Sequence, residues 1–136
     1  MNKYNYKNAV FISFGAIIGA LSRYYLTVLV KELIGQDAGF IATLAINIIG
    51  CTIIAYILTL VTDGTGNISP ELRLMTTTGF CGAFTTFSAY GLETETFGTG
   101  GNSLMILLYG VGSLVLGMIG IQFGVFLARL QKVEQE

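Results

Sequence analysis

One short stretch of this 136-residue chain concentrates the residues that could do chemistry. It reads GFCGAFTTFSAY from Gly79 to Tyr90, and Gly91 follows. Three glycines, three Ser or Thr residues and four aromatic residues share these thirteen positions. Ser and Thr offer the backbone alternative hydrogen bonds, and glycine adopts conformations that other residues avoid. The stretch therefore predicts a break in a helix near Gly82 to Thr86.

Such a break makes backbone groups available for binding. Freed carbonyl oxygens can bind a cation, and freed N–H groups can bind an anion. The edge of an aromatic ring carries partial positive charge. Phe87 and Tyr90 are three residues apart, so both rings can lie on one helix face. Ring edges that line a pore would bind an anion weakly, and weak binding suits conduction because the ion must also leave.

Two other segments each carry a narrow polar track. Thr43, Asn47 and Cys51 recur at every fourth residue, which places them on one helix face. Tyr109 and Ser113 are also four residues apart. Polar groups in hydrocarbon are costly, so these residues should face protein or water. Asn47 could form an interhelical hydrogen bond, or it could line a pore.

The elements that must position these residues are membrane spans. The chain is 53% hydrophobic and 11% charged, with a mean hydropathy of +0.71, unlike an average soluble domain. A helix needs about 20 apolar residues to cross a bilayer. Long charge-free intervals separate Lys7 from Arg23, Asp37 from Asp63, Arg73 from Glu93, and Glu95 from Arg129. We predict an all-α membrane protein with one domain, 1–136, whose four spans cover about 9–30, 39–62, 71–97 with the break near 82–86, and 102–129.

Several classes of function are disfavoured by what the sequence contains. The net charge of −1 gives no basis for binding nucleic acid. The chain has no His, and Cys51 and Cys81 lie alone in apolar runs, so we predict neither a catalytic pair nor a transition-metal site. No nucleotide-binding loop is present, and we expect no buried acid within the spans to relay protons. The sequence therefore argues against an enzyme, a pump and a proton-coupled exchanger.

Small residues indicate where the spans pack together, since helix association in lipid relies on close contact. Gly15 and Gly19 form a GxxxG motif in the first span. The last span carries a longer row of glycines at positions 110, 117, 120 and 124. Arg23 is the cation nearest a span interior. It could snorkel to the interface, or it could make an entrance attractive to anions.

At this point the sequence resembles the Fluc/CrcB fluoride ion channel family. The resemblance covers nearly the whole chain and rests on three motifs. They are GAIIGALSR ending at Arg23, TLAINIIG around Asn47, and the GFCGAFTTFSAY stretch described above. It implies a multi-pass protein of the cell membrane that passively exports fluoride and so limits fluoride toxicity. It also implies contact with membrane lipid and an antiparallel, dual-topology dimer. It implies no enzymatic activity.

The resemblance also implies roles for particular residues. A structural Na⁺ would lie at the dimer centre, bound by the backbone carbonyls of Gly82 and Thr85. Arg23 would be the conserved arginine beside the vestibule. The fluoride pore would be lined by Asn47, Phe87, Tyr90, Ser88, Thr43, Tyr109 and Ser113.

The sequence leaves some alternatives open. The family motif usually ends in Phe where this chain has Tyr90, so conductance could differ. The dimer could be a homodimer, or a heterodimer with an antiparallel paralogue, because the cation bias that favours cytoplasmic termini is modest. A small multidrug exporter shares the four-span plan but needs a membrane-embedded carboxylate. A non-transporting membrane scaffold would use the small-residue faces for assembly alone.

Overall fold

A computed structural model describes residues 3–64 and 66–133, so positions 1, 2, 65 and 134–136 of the predicted domain lie outside it. The described residues form helices and connecting turns. In chain order these are α1 (Lys3–Ile34), a 3-10 turn (Gln36–Ala38), α2 (Gly39–Thr62), α3 (Pro70–Leu74), a π-helical segment (Met75–Cys81), α4 (Gly82–Phe84), α5 (Phe87–Thr99) and α6 (Ser103–Val133).

Three of these helical regions are long and apolar enough to cross a membrane. They are Tyr6–Ile34, Gln36–Thr62 and Ser103–Gln131, among the described residues. The prediction of an all-helical, multi-pass membrane protein is confirmed. α2 has the same bounds as the predicted range 39–62, whereas α1 and α6 extend beyond theirs.

The region predicted as the third span is divided into two shorter helices. α3, the π-helical segment and α4 run on without interruption from 70 to 84, and we call them the first half-helix. Ser69 caps its start by accepting a hydrogen bond of 3.2 Å from the N–H of Leu72. The backbone is then extended at Thr85 (φ −75°, ψ 160°) and Thr86 (φ −150°, ψ 121°). α5 begins at Phe87, so the extended part is two residues long.

Glycines allow the long helices to approach their neighbours closely. In α6, a Cβ at Gly120 would lie 2.9 Å from the Ile48 carbonyl oxygen of α2. A Cβ at Gly124 would lie 2.3 Å from the Thr52 carbonyl oxygen. In α1, Gly15 and Gly19 contact the first half-helix in the same manner. The glycines thus form two close helix pairs, α2 with α6 and α1 with the first half-helix.

Candidate functional site

Asn47 holds the extended backbone from the side of α2. Its Nδ2 donates a hydrogen bond of 3.0 Å to the carbonyl oxygen of Thr86. Its Oδ1 accepts a hydrogen bond of 2.9 Å from the N–H of the same residue. Both polar groups of the Thr86 main chain are therefore satisfied by one side chain at a point where no helix can satisfy them. Of the two roles left open for Asn47, the interhelical hydrogen bond is present.

Thr85 and Thr86 are fixed by four further contacts. The N–H and Oγ1 of Thr85 both donate to the Cys81 carbonyl oxygen, at 3.0 and 2.9 Å. Gly50 leaves room for the Thr85 side chain, since a Cβ there would lie 2.2 Å from Thr85 Cγ2. Thr86 Oγ1 caps α5 by accepting a hydrogen bond of 3.2 Å from the N–H of Ala89. The two-residue extension is a defined structure rather than a loose link.

The carbonyl groups named for sodium have different surroundings. The N–H of Thr86 would close the next helical turn onto Gly82, but it donates to Asn47 instead. The Gly82 carbonyl therefore lacks its usual helical partner, and an added Cβ at Gly82 would meet no atom within 4 Å. The Thr85 carbonyl lies 3.5 Å from Nη1 of Arg23. Carbonyl oxygens suit hard cations, so Gly82 fits the predicted ion well, whereas Thr85 already has a cationic neighbour.

Aromatic rings form a row that starts at the extended residues. The ring centroids of Phe87 and Tyr90 are 5.6 Å apart, and those of Tyr90 and Tyr109 are 5.5 Å apart. The Tyr90 hydroxyl donates a hydrogen bond of 2.9 Å to the Gly110 carbonyl oxygen of α6. The hydroxyl that distinguishes Tyr90 from phenylalanine is thus directed at the protein backbone. Phe87 is 80% exposed, which leaves one face of the row uncovered in the single chain.

Glu93 joins the two polar tracks, and the sequence analysis did not identify it. Its carboxylate accepts a hydrogen bond of 2.9 Å from Thr43 Oγ1 and a second one from the Tyr109 hydroxyl. The side chain is partly buried within α5. A partly buried carboxylate thus lies within the range predicted for the third span, where we expected no buried acid. A signal was available, because Glu93 lies three residues after Tyr90 on the same helix face.

Two cavities lie on either side of the extended residues, and Thr86 lines both. The first, the apolar cleft, has a volume of about 360 Å³ and is lined mainly by Gly50, Cys51, Ile54, Cys81, Gly82 and Phe87, with Asn47 and three threonines. The second, the polar cavity, has a volume of about 430 Å³. Its charged and hydroxyl-bearing lining consists of Arg23, Tyr24, Thr27, Lys31, Thr43, Thr86, Ser88 and Glu93.

The predicted site residues thus fall into three groups. Asn47, Gly82, Thr85 and Phe87 share the apolar cleft, and Arg23, Thr43 and Ser88 share the polar cavity. Tyr90 and Tyr109 connect them through the ring row and Glu93. Ser113 is in neither cavity. Its Oγ is buried and has no hydrogen-bond partner among the described residues.

Comparison with known proteins gives a consistent result. The family model described as "CrcB-like protein, Camphor Resistance (CrcB)" matches residues 10–125. A protein of Trichormus variabilis named fluoride-specific ion channel FluC is 42% identical over 124 residues, which cover 91% of this chain and 90% of that protein. One of the same name from Synechocystis is 43% identical, over 87% of this chain and 89% of its own length. The protein named FluC 1 from Moorella thermoacetica is 40% identical, over 89% and 85%.

Proposed function

Because this chain belongs to the CrcB-like family, we propose that it is a fluoride-selective ion channel of the cell membrane. Its relatives carry the name of a fluoride-specific ion channel, and the family is one of channels rather than enzymes. One structural observation carries the proposal. The extended residues Thr85 and Thr86 lie at the start of the aromatic row, among helices of membrane length. Irregular backbone in a membrane is tolerated where it is buried or lines a cavity.

The arrangement favours weak binding of a small, strongly hydrated anion. Fluoride must lose water to pass a narrow apolar region, and the partners that replace the water must not hold the ion. Ring edges from Phe87 and Tyr90 supply partial positive charge without a formal cation. The buried Oγ of Ser113 adds a hydroxyl that has no hydrogen-bond partner within the described part of the chain. Conduction is passive in this proposal, and the ion leaves the cytoplasm down its own gradient.

The polar cavity serves as the entrance. Arg23 and Lys31 place two cations in a space that also holds the Glu93 carboxylate. A cavity with low-dielectric walls concentrates the field of its charges, so this entrance attracts anions. Glu93 accepts from two hydroxyls, and in doing so it fixes the orientation of Thr43 and Tyr109.

A second copy completes the site. The polar segment that includes Gly82 and Ser88 is exposed in the single chain, and a surface of this kind is unfavourable against lipid. Phe87 and Leu92, which are 80% and 67% exposed, extend the uncovered face of α5. We propose that an antiparallel copy of the chain, or an antiparallel paralogue, covers this face. In each subunit, the first half-helix and α5 together form the third membrane crossing.

The same assembly supports the structural sodium. One chain offers the Gly82 carbonyl and, beside Arg23, the Thr85 carbonyl. Hard cations take more oxygen ligands than these two, so a second chain must supply the others. The sodium proposal therefore depends on the dimer proposal, and both place the ion on the uncovered face of the apolar cleft.

Flux from liposomes tests the proposed function directly. Purified protein is reconstituted into vesicles loaded with potassium fluoride or potassium chloride, a potassium ionophore lets K⁺ leave with the anion, and anion release is followed with ion-selective electrodes. We expect fast fluoride release without any pH gradient, and chloride release no faster than from protein-free vesicles. Equal release of the two ions, or release of neither, would contradict the proposal.

A further inference from the structure

The first half-helix owes its position to an unusually close contact with α1. A Cβ built on Gly15 would lie 2.1 Å from the carbonyl oxygen of Met75. One built on Gly19 would lie 2.3 Å from the carbonyl oxygen of Phe80. In the opposite direction, a Cβ on Gly79 would lie 2.4 Å from the carbonyl oxygen of Ile12. In each case the obstructing atom belongs to backbone, so no side-chain rotation relieves the clash.

The part of the first half-helix that α1 contacts is the π-helical segment. A π-helical turn bonds residue i to residue i+5, and it is rare because it widens the helix. Threonine hydroxyls support the wide turn. Thr76 Oγ1 donates to the Leu72 carbonyl oxygen at 2.9 Å, and Thr77 Oγ1 donates to that of Arg73 at 2.8 Å. These hydroxyls supply donors to carbonyls at the point where the helical pattern changes.

The contact with α1 is tied at both ends. Nζ of Lys7 lies 2.7 Å from Oε1 of Glu71, at the start of the first half-helix. Nη1 of Arg23 lies 3.5 Å from the Thr85 carbonyl oxygen, just after its end. The glycine contacts lie between these two points. α1 therefore follows the first half-helix from its entry to the extended residues.

We infer that Gly15, Gly19 and Gly79 are positioning residues that hold the π-helical segment in place and thereby set the rotation at which the chain enters the extended residues. A π turn contains about one residue more than an α turn, and each helical residue accounts for about 100° of rotation and 1.5 Å of rise. Return of this segment to α-helical geometry would therefore turn Thr85 and the Gly82 carbonyl away from the apolar cleft. The inference rests on the proposed function, since it names the glycines that position Thr85 and the Gly82 carbonyl within the proposed channel.

A single methyl group on α1 tests this inference. We expect Gly15→Ala to lower fluoride release from liposomes by about tenfold or more, because displacement of functional groups by about an ångström has effects of this size. Gly79→Ala should act in the same direction from the other helix. The matched control is Gly112→Ala in α6, where an added Cβ meets no atom within 4 Å, and it should change release by less than about twofold.

Assembly and selectivity are measured on the same samples. A dimer of normal size with slow fluoride release, or with a lowered fluoride-to-chloride ratio, supports a positioning role. Wild-type rates and selectivity in both Gly15→Ala and Gly79→Ala would overturn the inference and leave the proposed function intact. A wild-type protein that passes no fluoride would overturn the proposed function and the inference with it.

If the variants fail to assemble, a measurement on the unmodified chain still decides the question. An experimental structure of the wild-type protein in lipid shows directly how residues 75–81 are bonded. Hydrogen bonds from i to i+5, with Gly15 and Gly79 against facing carbonyls, support the inference. Continuous i to i+4 bonding through these residues would overturn it.

Discussion

Thr86 lines both the apolar cleft and the polar cavity, yet the two differ in the polar groups that they contain. In the apolar cleft the Asn47 amide and the Thr86 main chain satisfy each other, and the described residues that line the space are all uncharged. In the polar cavity Arg23, Lys31 and Glu93 carry charge. Formal charge thus lies in the proposed entrance, and neutral groups line the cleft in which we propose that the ion sheds water. Substitutions can test this division, and four are ordered below by expected effect.

Asn47→Asp should have the largest effect. The change replaces the Nδ2 donor by an acceptor that faces the Thr86 carbonyl oxygen, and it places a negative charge in the apolar cleft. Loss of the donor alone costs about 1–3 kcal/mol. Each 1.36 kcal/mol corresponds to about tenfold in rate, so we expect fluoride flux to fall on the order of 100-fold.

Liposome flux with a dimer check measures the effect of Asn47→Asp. Thr59→Val is the control on the same helix, since Thr59 Oγ1 donates to the Ala55 carbonyl oxygen one turn away. Normal flux in Asn47→Asp would show that the cleft tolerates charge and would end the contrast between the two cavities.

Phe87→Ile should come next, with flux lowered roughly tenfold and the dimer intact. Isoleucine keeps an apolar side chain but removes the ring edge that begins the aromatic row. The measurement is fluoride release per dimer. Phe126→Ile provides the control, because Phe126 is 56% exposed on α6 and far along the chain from the site. If both phenylalanine variants conduct alike, ring edges have no special role in the cleft.

Glu93→Gln tests the charged side and should reduce flux by a smaller factor, roughly threefold to tenfold. Glutamine places an NH₂ group where one of the two carboxylate oxygens lies, so Thr43 and Tyr109 cannot both keep their present acceptors. Hydrogen bonds to charged groups contribute about 1.5–3 kcal/mol, part of which the amide replaces. Glu95→Gln, at an exposed position on the same helix, should leave flux unchanged. Equal effects of the two substitutions would mean that only net charge matters.

Tyr90→Phe should have the smallest effect, with flux within about threefold of wild type. The variant keeps the ring between Phe87 and Tyr109 and loses one hydrogen bond to the Gly110 carbonyl, worth about 1 kcal/mol. The expected result is normal selectivity and a slightly lower thermal stability of the dimer. A non-conducting Tyr90→Phe channel would place the hydroxyl in the conduction path instead.

Much of this organisation is predictable from sequence because lipid imposes strict rules. The absence of charge between Asp37 and Asp63 predicts α2, and the Gly, Ser and Thr content of residues 79–91 predicts irregular backbone. The extended residues Thr85 and Thr86 lie inside the predicted window of 82–86, at its C-terminal end. The four-residue spacing of Thr43 and Asn47 predicts that they share one face of α2, and their partners, Glu93 and Thr86, lie within and just before α5.

Other features depend on tertiary contacts that spacing does not reveal. The π-helical segment follows from the fit of Gly79 against α1, and no periodicity within MTTTGFC indicates it. Glu93 marked only the end of a charge-free interval, because its two hydroxyl partners come from helices far away in the chain. Asn47 was open to two interpretations because an amide can bond backbone and line a cavity at once. The roles of all the predicted site residues, and of the predicted sodium, stay predictions.

The length of α1 has a consequence for the bilayer around the protein. Its membrane-length part, Tyr6–Ile34, has 29 residues and spans about 44 Å, whereas the hydrocarbon core is about 30 Å thick. A helix that exceeds its host layer accommodates by tilting, and it tilts more as the layer thins. Since glycines hold α1 in close contact with the first half-helix, the two helices must tilt together. A change in membrane thickness would then move the extended residues as well. The length of the lipid chains would in this way alter the rate of ion flux without any ligand.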